Sequence, residues 1–297
     1  MVNEYFMPSF DGKKIFVREW TVDDPVGVVQ IFHGMAEHCG RYDAFAKYLN
    51  SLGFMVVADD HRAHGRTDEK TLGYCDGDIW GDTLKDLLLI NKTYRGRYQD
   101  KKYVIFAHSY GSFLAQRYVQ LNDGLNQRLF DGVILCGSSK MDGLPVMAGR
   151  IFAKNGKPDK PAEFIKKMSF DAYNKKCKEG TFVSSIVAEC ERYSADKYCD
   201  FVCSNNFYKG FFNGLKQLYK KENLSKVNAD LPLLIISGDK DPVGDYGRGV
   251  KRLCKMYEQL GLKKVKMHLL PDNRHEILND TGKEEALKII ADFIKEI

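Results

Sequence analysis

The stretch Tyr103-Val-Ile-Phe-Ala107-His108-Ser109-Tyr110-Gly111-Ser-Phe-Leu114 changes its hydrophobic period at one serine. Before Ser109 the residues read as a buried strand. After it Phe113, Leu114, Arg117, Tyr118 and Leu121 fall at helical spacing, so strand and helix meet with no room for a loop. Such a turn lifts the serine hydroxyl above a sheet edge in a strained backbone, and only small residues fit two positions on either side of it. Here they are Ala107 and Gly111, so the usual G-x-S-x-G pattern appears as A-x-S-x-G. A serine at this kind of turn is a nucleophile only if the rest of the chain supplies a base, an acid and an oxyanion hole.

Outward from the serine, the chain alternates. Residues 4–9 and 13–21 form a hairpin turning at Ser9-Phe10-Asp11-Gly12. Val26–Phe32 is a β-branched run typical of a strand buried on both faces, and it ends in His33-Gly34-Met35-Ala36-Glu37-His38. A helix ended by Gly53, a strand from Phe54 to Ala58 and a helix near 79–96 lead to the serine strand. Gly132–Cys136 is a further strand. Residues 141–230, rich in Lys and aromatics, lack a convincing strand and are too long for a structureless loop. Strands Leu231–Ser237 and Lys264–Leu270 then alternate with helices near 246–260 and at the C-terminus, the last opened by a Thr281-Gly-Lys-Glu284 capping box. The expectation is an α/β fold with a mainly parallel eight-stranded sheet flanked by helices. Its core is residues 1–140 and 231–297, and a helical cap, residues 141–230, is inserted after the sixth strand.

In an open parallel sheet, reactive groups collect at the carboxyl ends of strands. His275 follows the strand ending at Leu270, whereas His268 lies inside that strand. Asp239 and Asp241 both follow the strand ending at Ser237; Asp239 suits the turn itself, and Asp241 reaches further across the edge. The expected triad is Ser109 as nucleophile, His275 as base and Asp241 as the acid that fixes the imidazole tautomer. The backbone N–H groups of Tyr110, next to the nucleophile, and Met35, after the bend at Gly34, form the oxyanion hole; such a donor is typically worth about 3 kcal/mol. His33, Gly34, His108, Phe207 and Phe211 are assigned to the substrate.

The blocks His33–His38 with Arg41-Tyr42, Asp60-His-Arg-Ala-His-Gly-Arg66, Ala107–Gly111, Gly238-Asp-Lys-Asp-Pro-Val243 and Arg274-His-Glu276 together resemble the monoacylglycerol lipase and lysophospholipase-like branch of the α/β-hydrolases. The resemblance runs over essentially the whole chain. It implies hydrolysis of a carboxylic ester with one long acyl chain, no metal or other cofactor, and a cap over the site. Ala107 and Ser112 depart from glycines frequent in the family, and neither removes a catalytic group. The substrate order it implies is monoacylglycerol first and lysophospholipid second. A short-chain or feruloyl-type esterase, an acyltransferase on the same triad and a non-catalytic binding protein are the alternatives.

Composition bounds the rest. With 297 residues, 44% hydrophobic, 29% charged and a net charge of +5, the chain reads as an ordinary globular protein and not a nucleic-acid binder. Its N-terminus lacks a basic start followed by an apolar core, and no apolar run approaches a membrane span, so a cytoplasmic location is expected. The eight cysteines include no C-x-x-C pair and read as free thiols. His61 and His64, beside Asp59 and Asp60, have a metal-like H-x-x-H spacing, but a third and fourth ligand are missing, so a structural loop is expected. Glu37, His38 and Arg41 would brace the oxyanion loop, and Glu276 would point away from the site. Cap aromatics would line an acyl channel or form the core of the lid. Phe207, Tyr208, Phe211 and Phe212 could instead make a lipid-facing patch for transient contact with lipid surfaces. No obligate protein partner is inferred.

Overall fold

A computed structural model describes residues 1–121 and 129–297. In chain order the elements are β1 (Val2–Pro8), β2 (Lys14–Trp20), β3 (Gly27–Phe32), α1 (Asp43–Ser51), β4 (Phe54–Asp59), α2 (Ile79–Arg97), β5 (Lys102–His108), α3 (Tyr110–Tyr118) and β6 (Gly132–Cys136). Then come α4 (Leu144–Asn155), α5 (Glu163–Met168), α6 (Phe170–Asn174), α7 (Val187–Ala195), α8 (Asn205–Leu218) and α9 (Lys221–Leu224), followed by β7 (Leu233–Gly238), α10 (Arg248–Gln259), β8 (Val265–Leu270) and α11 (Lys283–Glu296). The eight strands form one sheet in the order β1-β2-β4-β3-β5-β6-β7-β8. β1–β2 and β2–β4 pair antiparallel and every other pair is parallel.

The β-branched runs explain the sheet. β3, β4, β6 and β7 are buried along their whole length, as strands covered on both faces must be. Alternate side chains sort between two cores. Val104, Phe106, Ile134, Cys136, Leu234 and Ile236 face α1 and α11, while Ile105, Ala107, Val133, Leu135, Leu233 and Ile235 face α3 and α10. β8 is an edge strand, and Lys266 and His268 are exposed on it.

Of the six helices between β6 and β7, α8 packs against α2 and α3 of the core. Phe207, Tyr208, Phe211 and Phe212 are at most 9% exposed, so they form the buried seam of this segment and not a lipid-facing patch. The seam is tight because Gly214 lets α8 approach α2: a Cβ there would lie 2.3 Å from the Trp80 ring. A group of exposed apolar side chains lies elsewhere, on α4 and α5, where Leu144, Met147, Ile151, Phe152, Phe164 and Met168 face outward.

One other local expectation differs in detail. α11 begins at Lys283 without a side-chain cap, because Asp280 accepts the Thr281 N–H (3.0 Å) and Asn273 accepts the Gly282 N–H (2.7 Å) in place of a Thr281 box. Among the described residues no helix is long and apolar enough to cross a membrane.

Gly214→Ala is expected to loosen the α8–α2 seam and lower stability by about 1–3 kcal/mol, as overpacking generally does. Urea unfolding of the two proteins measures this, and equal midpoints would contradict the packing described.

Candidate active site

β3, β5, β7 and β8 run parallel, so the segments that follow them meet at one edge of the sheet. Ser109 stands there with φ 52° and ψ −120°, a conformation non-glycine residues rarely adopt. Close packing enforces it. A Cβ at Gly111 would lie 2.2 Å from the Phe32 carbonyl oxygen, so α3 can start this near β3 only with glycine at that position. The Ser109 N–H donates to the Cys136 carbonyl (3.0 Å), and its own carbonyl accepts from the Ser112 hydroxyl (2.6 Å). The Ser112 hydroxyl therefore adds a clamp to the turn.

The structure brings Ser109, His275 and Asp241 together. His275 Nε2 is 2.8 Å from Ser109 Oγ, and His275 Nδ1 is 3.0 Å from Asp241 Oδ2. Asp241 is fully buried and also accepts from Ser237 Oγ (3.0 Å) and the Val243 N–H (2.8 Å). Burial alone would raise its pKa, but the adjacent His275 and these hydrogen bonds outweigh it and hold the carboxyl below its usual range. Asp239 remains at the turn, where its Oδ1 accepts the Asp272 N–H (2.8 Å).

His33 is fully buried and both ring nitrogens are occupied, so it is not placed to meet a substrate. Its Nδ1–H donates to the Gly34 carbonyl (2.7 Å), and its Nε2 accepts the His61 N–H (2.9 Å). Burial, with His61 stacked at 3.8 Å, holds His33 well below the usual histidine pKa, which keeps this neutral tautomer. In a trans peptide the carbonyl and the next N–H point in opposite directions, so pinning the Gly34 oxygen fixes the direction of the Met35 N–H. Tyr110 is the first residue of α3, where backbone N–H groups lack an intrahelical acceptor.

His108 is likewise withdrawn from substrate. Its Nδ1 is 3.2 Å from Glu37 Oε1 and its Nε2 is 3.3 Å from the His275 carbonyl. Both partners are acceptors, so the ring serves them best as an imidazolium. Burial opposes that charge, but the hydrogen bond and charge of Glu37 prevail and raise the pKa. Glu37 Oε1 also accepts the Gly34 N–H (2.5 Å) and the Tyr42 hydroxyl (2.9 Å). Arg41 joins Glu37 (3.0 Å) to Glu276 (2.5 and 2.7 Å). Glu276 thus turns to Arg41 and ties the loop carrying His275 to the loop carrying Met35. Phe207 and Phe211 pack on the Tyr110 ring at 4.9 and 5.7 Å.

The segment after α6 supplies further contacts to the loop carrying His275. The carbonyls of Phe182 and Val183 accept the N–H groups of His275 (3.2 Å) and Glu276 (2.8 Å). Asp280 accepts from the Arg274 N–H (2.7 Å) and the Ser185 N–H (3.1 Å) and also bonds the Ser185 hydroxyl. An aspartate five residues beyond the histidine, just before a helix, was the available hint. Nearer Met35, Tyr193 Oη donates to the Ala36 carbonyl (2.9 Å) and His38 Nε2 bonds Asp196 (2.9 Å). His61 and His64 turn Nδ1 to Asp59 (2.7 Å) and to the Arg62 carbonyl (2.9 Å), and neither belongs to a group of three clustered metal-type ligands among the described residues.

The serine aminopeptidase S33 family, Hydrolase_4, matches residues 23–282. The chain belongs to this family. It is an α/β-hydrolase of the lipase and esterase kind. It is 25% identical to Monoacylglycerol lipase of Mycolicibacterium smegmatis over 98% of this chain and 96% of that one. It is 31% identical to Monoglyceride lipase of Rattus norvegicus over 35% of this chain, a match that spans only 34% of the rat protein. Among solved structures, a carboxyl esterase from Bacillus coagulans in complex with glycerol superposes with TM-score 0.85 at 27% identity, covering 99% of both chains. The fold is shared with a Monoglyceride Lipase from Saccharomyces cerevisiae (TM-score 0.78, 16% identity, 100% of this chain and 95% of that one).

The sign of the His108 shift gives a prediction. Its unfolded pKa is near 6.5 and its folded pKa is higher, so its stabilisation is complete below about pH 6.5 and fades as pH rises through the folded value. The stability lost in His108→Gln, read by urea unfolding, is expected to be larger at about pH 5.5 than at about pH 9. An equal loss at both would contradict the imidazolium bridge.

Proposed function

We propose that this α/β-hydrolase cleaves carboxylic esters of single-chain lipids, monoacylglycerol first and lysophospholipid second, through an acyl-enzyme on Ser109. The observation that carries the reading is the continuous chain Ser109–His275–Asp241, at 2.8 and 3.0 Å. In the proposed cycle His275 Nε2 takes the Ser109 proton as the oxygen attacks the ester carbonyl, and Asp241 stabilises the imidazolium. The N–H groups of Met35 and Tyr110 hold the oxyanion, and His275 returns the proton to the leaving alcohol. Water activated by His275 then releases the fatty acid. None of these steps calls on a cofactor.

Residues 141–230 act as the lid in this reading, with residues 1–140 and 231–297 as the catalytic core. Its outward face favours a lipid surface: Leu144, Met147 and Ile151 recur at helical spacing on α4, and Phe152, Phe164 and Met168 extend the patch. Arg150, Lys154, Lys157 and Lys167 are exposed around it, which suits an anionic interface. This moves the lipid contact from α8 to α4 and α5. The 27% likeness to a carboxyl esterase favours a second reading, in which short or aryl esters are preferred.

Turnover of monoacylglycerol, lysophosphatidylcholine, short p-nitrophenyl esters and feruloyl esters on one preparation separates the readings, and adding glycerol tests for acyl transfer. The expected result is highest kcat/KM on monoacylglycerol and stronger sedimentation with anionic vesicles than for the triple variant L144S/M147S/I151S. A preference for short or aryl esters, with equal sedimentation, would contradict the lipid reading.

A further inference from the structure

A cavity of about 340 Å³ opens where the inserted helices meet the core loops, separate from the serine. Tyr173, Lys176 and Lys178 line it from the inserted segment, and Lys240, Asp272 and Arg274 line it from the core. Lys240 directly precedes Asp241 and Arg274 directly precedes His275, so the cavity is built from the chain neighbours of the proposed acid and base. One aromatic layer divides it from the histidine: the Tyr173 ring lies 5.6 Å from Phe182, which lies 5.7 Å from the His275 ring.

Its charge is unbalanced, with four cations on the wall and Asp272 as the acid among them. Lys240 is 3.0 Å from Asp239 and 3.5 Å from Asp272. Lys176 rests over the Tyr246 ring at 5.7 Å, and neither it nor Lys178 has a carboxylate partner among the described residues. Arg274 Nη1 donates to the carbonyls of Glu179 (2.5 Å), Thr181 (2.8 Å) and Ser184 (2.9 Å), which orient the guanidinium without cancelling its charge. A singly charged carboxylate would leave this excess uncompensated. A phosphate carries more charge, accepts several hydrogen bonds, and fits the volume with room for a three-carbon substituent.

We propose that this cavity binds a phosphate-bearing anion, which then bridges the inserted helices to the loops carrying Asp241 and His275. Two sources share that chemistry: the head group of a phosphorylated single-chain ester, or free phosphate acting on lid position. The first rests on the ester-hydrolase reading; the binding site itself does not.

The full-length protein is titrated with inorganic phosphate and with glycerol 3-phosphate by calorimetry at constant ionic strength, against chloride. The wild type is compared with K176A/K178A and the charge-preserving K176R/K178R, with thermal unfolding verifying that each is folded. Expected is phosphate binding by the wild type that weakens about tenfold or more in the alanine pair and persists in the arginine pair. In a second arm, kcat/KM on lysophosphatidic acid is divided by that on monoacylglycerol. A head-group source lowers this ratio in K176A/K178A. A free-phosphate source leaves the ratio unchanged, while added phosphate alters monoacylglycerol turnover in the wild type more than in the alanine pair. No phosphate binding above chloride, or equal binding by wild type and alanine pair, overturns the proposal. Phosphate binding without turnover of any ester would sink the hydrolase reading and leave the anion site supported.

Discussion

The contact between Gly111 and the Phe32 carbonyl is the constraint on which the site depends. It brings the start of α3 against the end of β3, and the chain can make that junction only with Ser109 at positive φ. This conformation costs of order 1–3 kcal/mol and persists because the buried sheet on one side and the packed helix on the other leave no alternative. The same junction sets Ser109 close to Gly34 in the loop carrying Met35, where a Cβ at Gly34 would lie 3.1 Å from the Ser109 Cβ. One close approach therefore sets the Ser109 backbone and the neighbouring Gly34 loop together.

Around that junction, polar groups act as struts. Glu37 accepts from Gly34, Tyr42, Arg41 and His108, and Arg41 carries the connection on to Glu276. Buried charges of this kind are tolerable only when each is paired, since an unpaired one would pay its full desolvation cost. These contacts couple the loop carrying Met35 to the loop carrying His275 across a sequence separation of 235 residues. On the opposite side His33 sets the Gly34 peptide, and the inserted segment holds the histidine loop through Phe182, Val183 and Asp280. A shift in the inserted helices thus reaches the proposed base through backbone hydrogen bonds.

Much of the fold was legible because its signals are local. A β-branched run marked β3, alternation of strand and helix signals marked β4 to β7, and the period change at Ser109 marked the elbow. The order Ser109, Asp241, His275 along alternating strands pointed to residues that the structure does bring within hydrogen-bonding distance. What was not legible is long-range or face-dependent. His33 and His108 stand in the right loops, but only the fold reveals that both rings are filled by protein partners. The aromatic spacing in α8 could not tell a buried seam from an exposed one, because Trp80, which decides it, lies on another helix. Thr281 looked like a cap, but α11 starts without one, and Asp280 and Asn273 instead bind the N–H groups of Thr281 and Gly282 just before it, contacts that a local motif does not encode.

The central claim is that Ser109, and no other residue, carries the acyl group during turnover. Acid quenching during steady-state turnover of a monoacylglycerol, followed by proteolysis and mass mapping, tests it most directly. The account predicts acylation confined to the peptide containing Ser109, absent in Ser109→Ala and formed more slowly in Asp241→Asn, where both attack by Ser109 and removal of the acyl group by water are slowed. Acyl groups on another peptide, or ester turnover retained in Ser109→Ala, would contradict it.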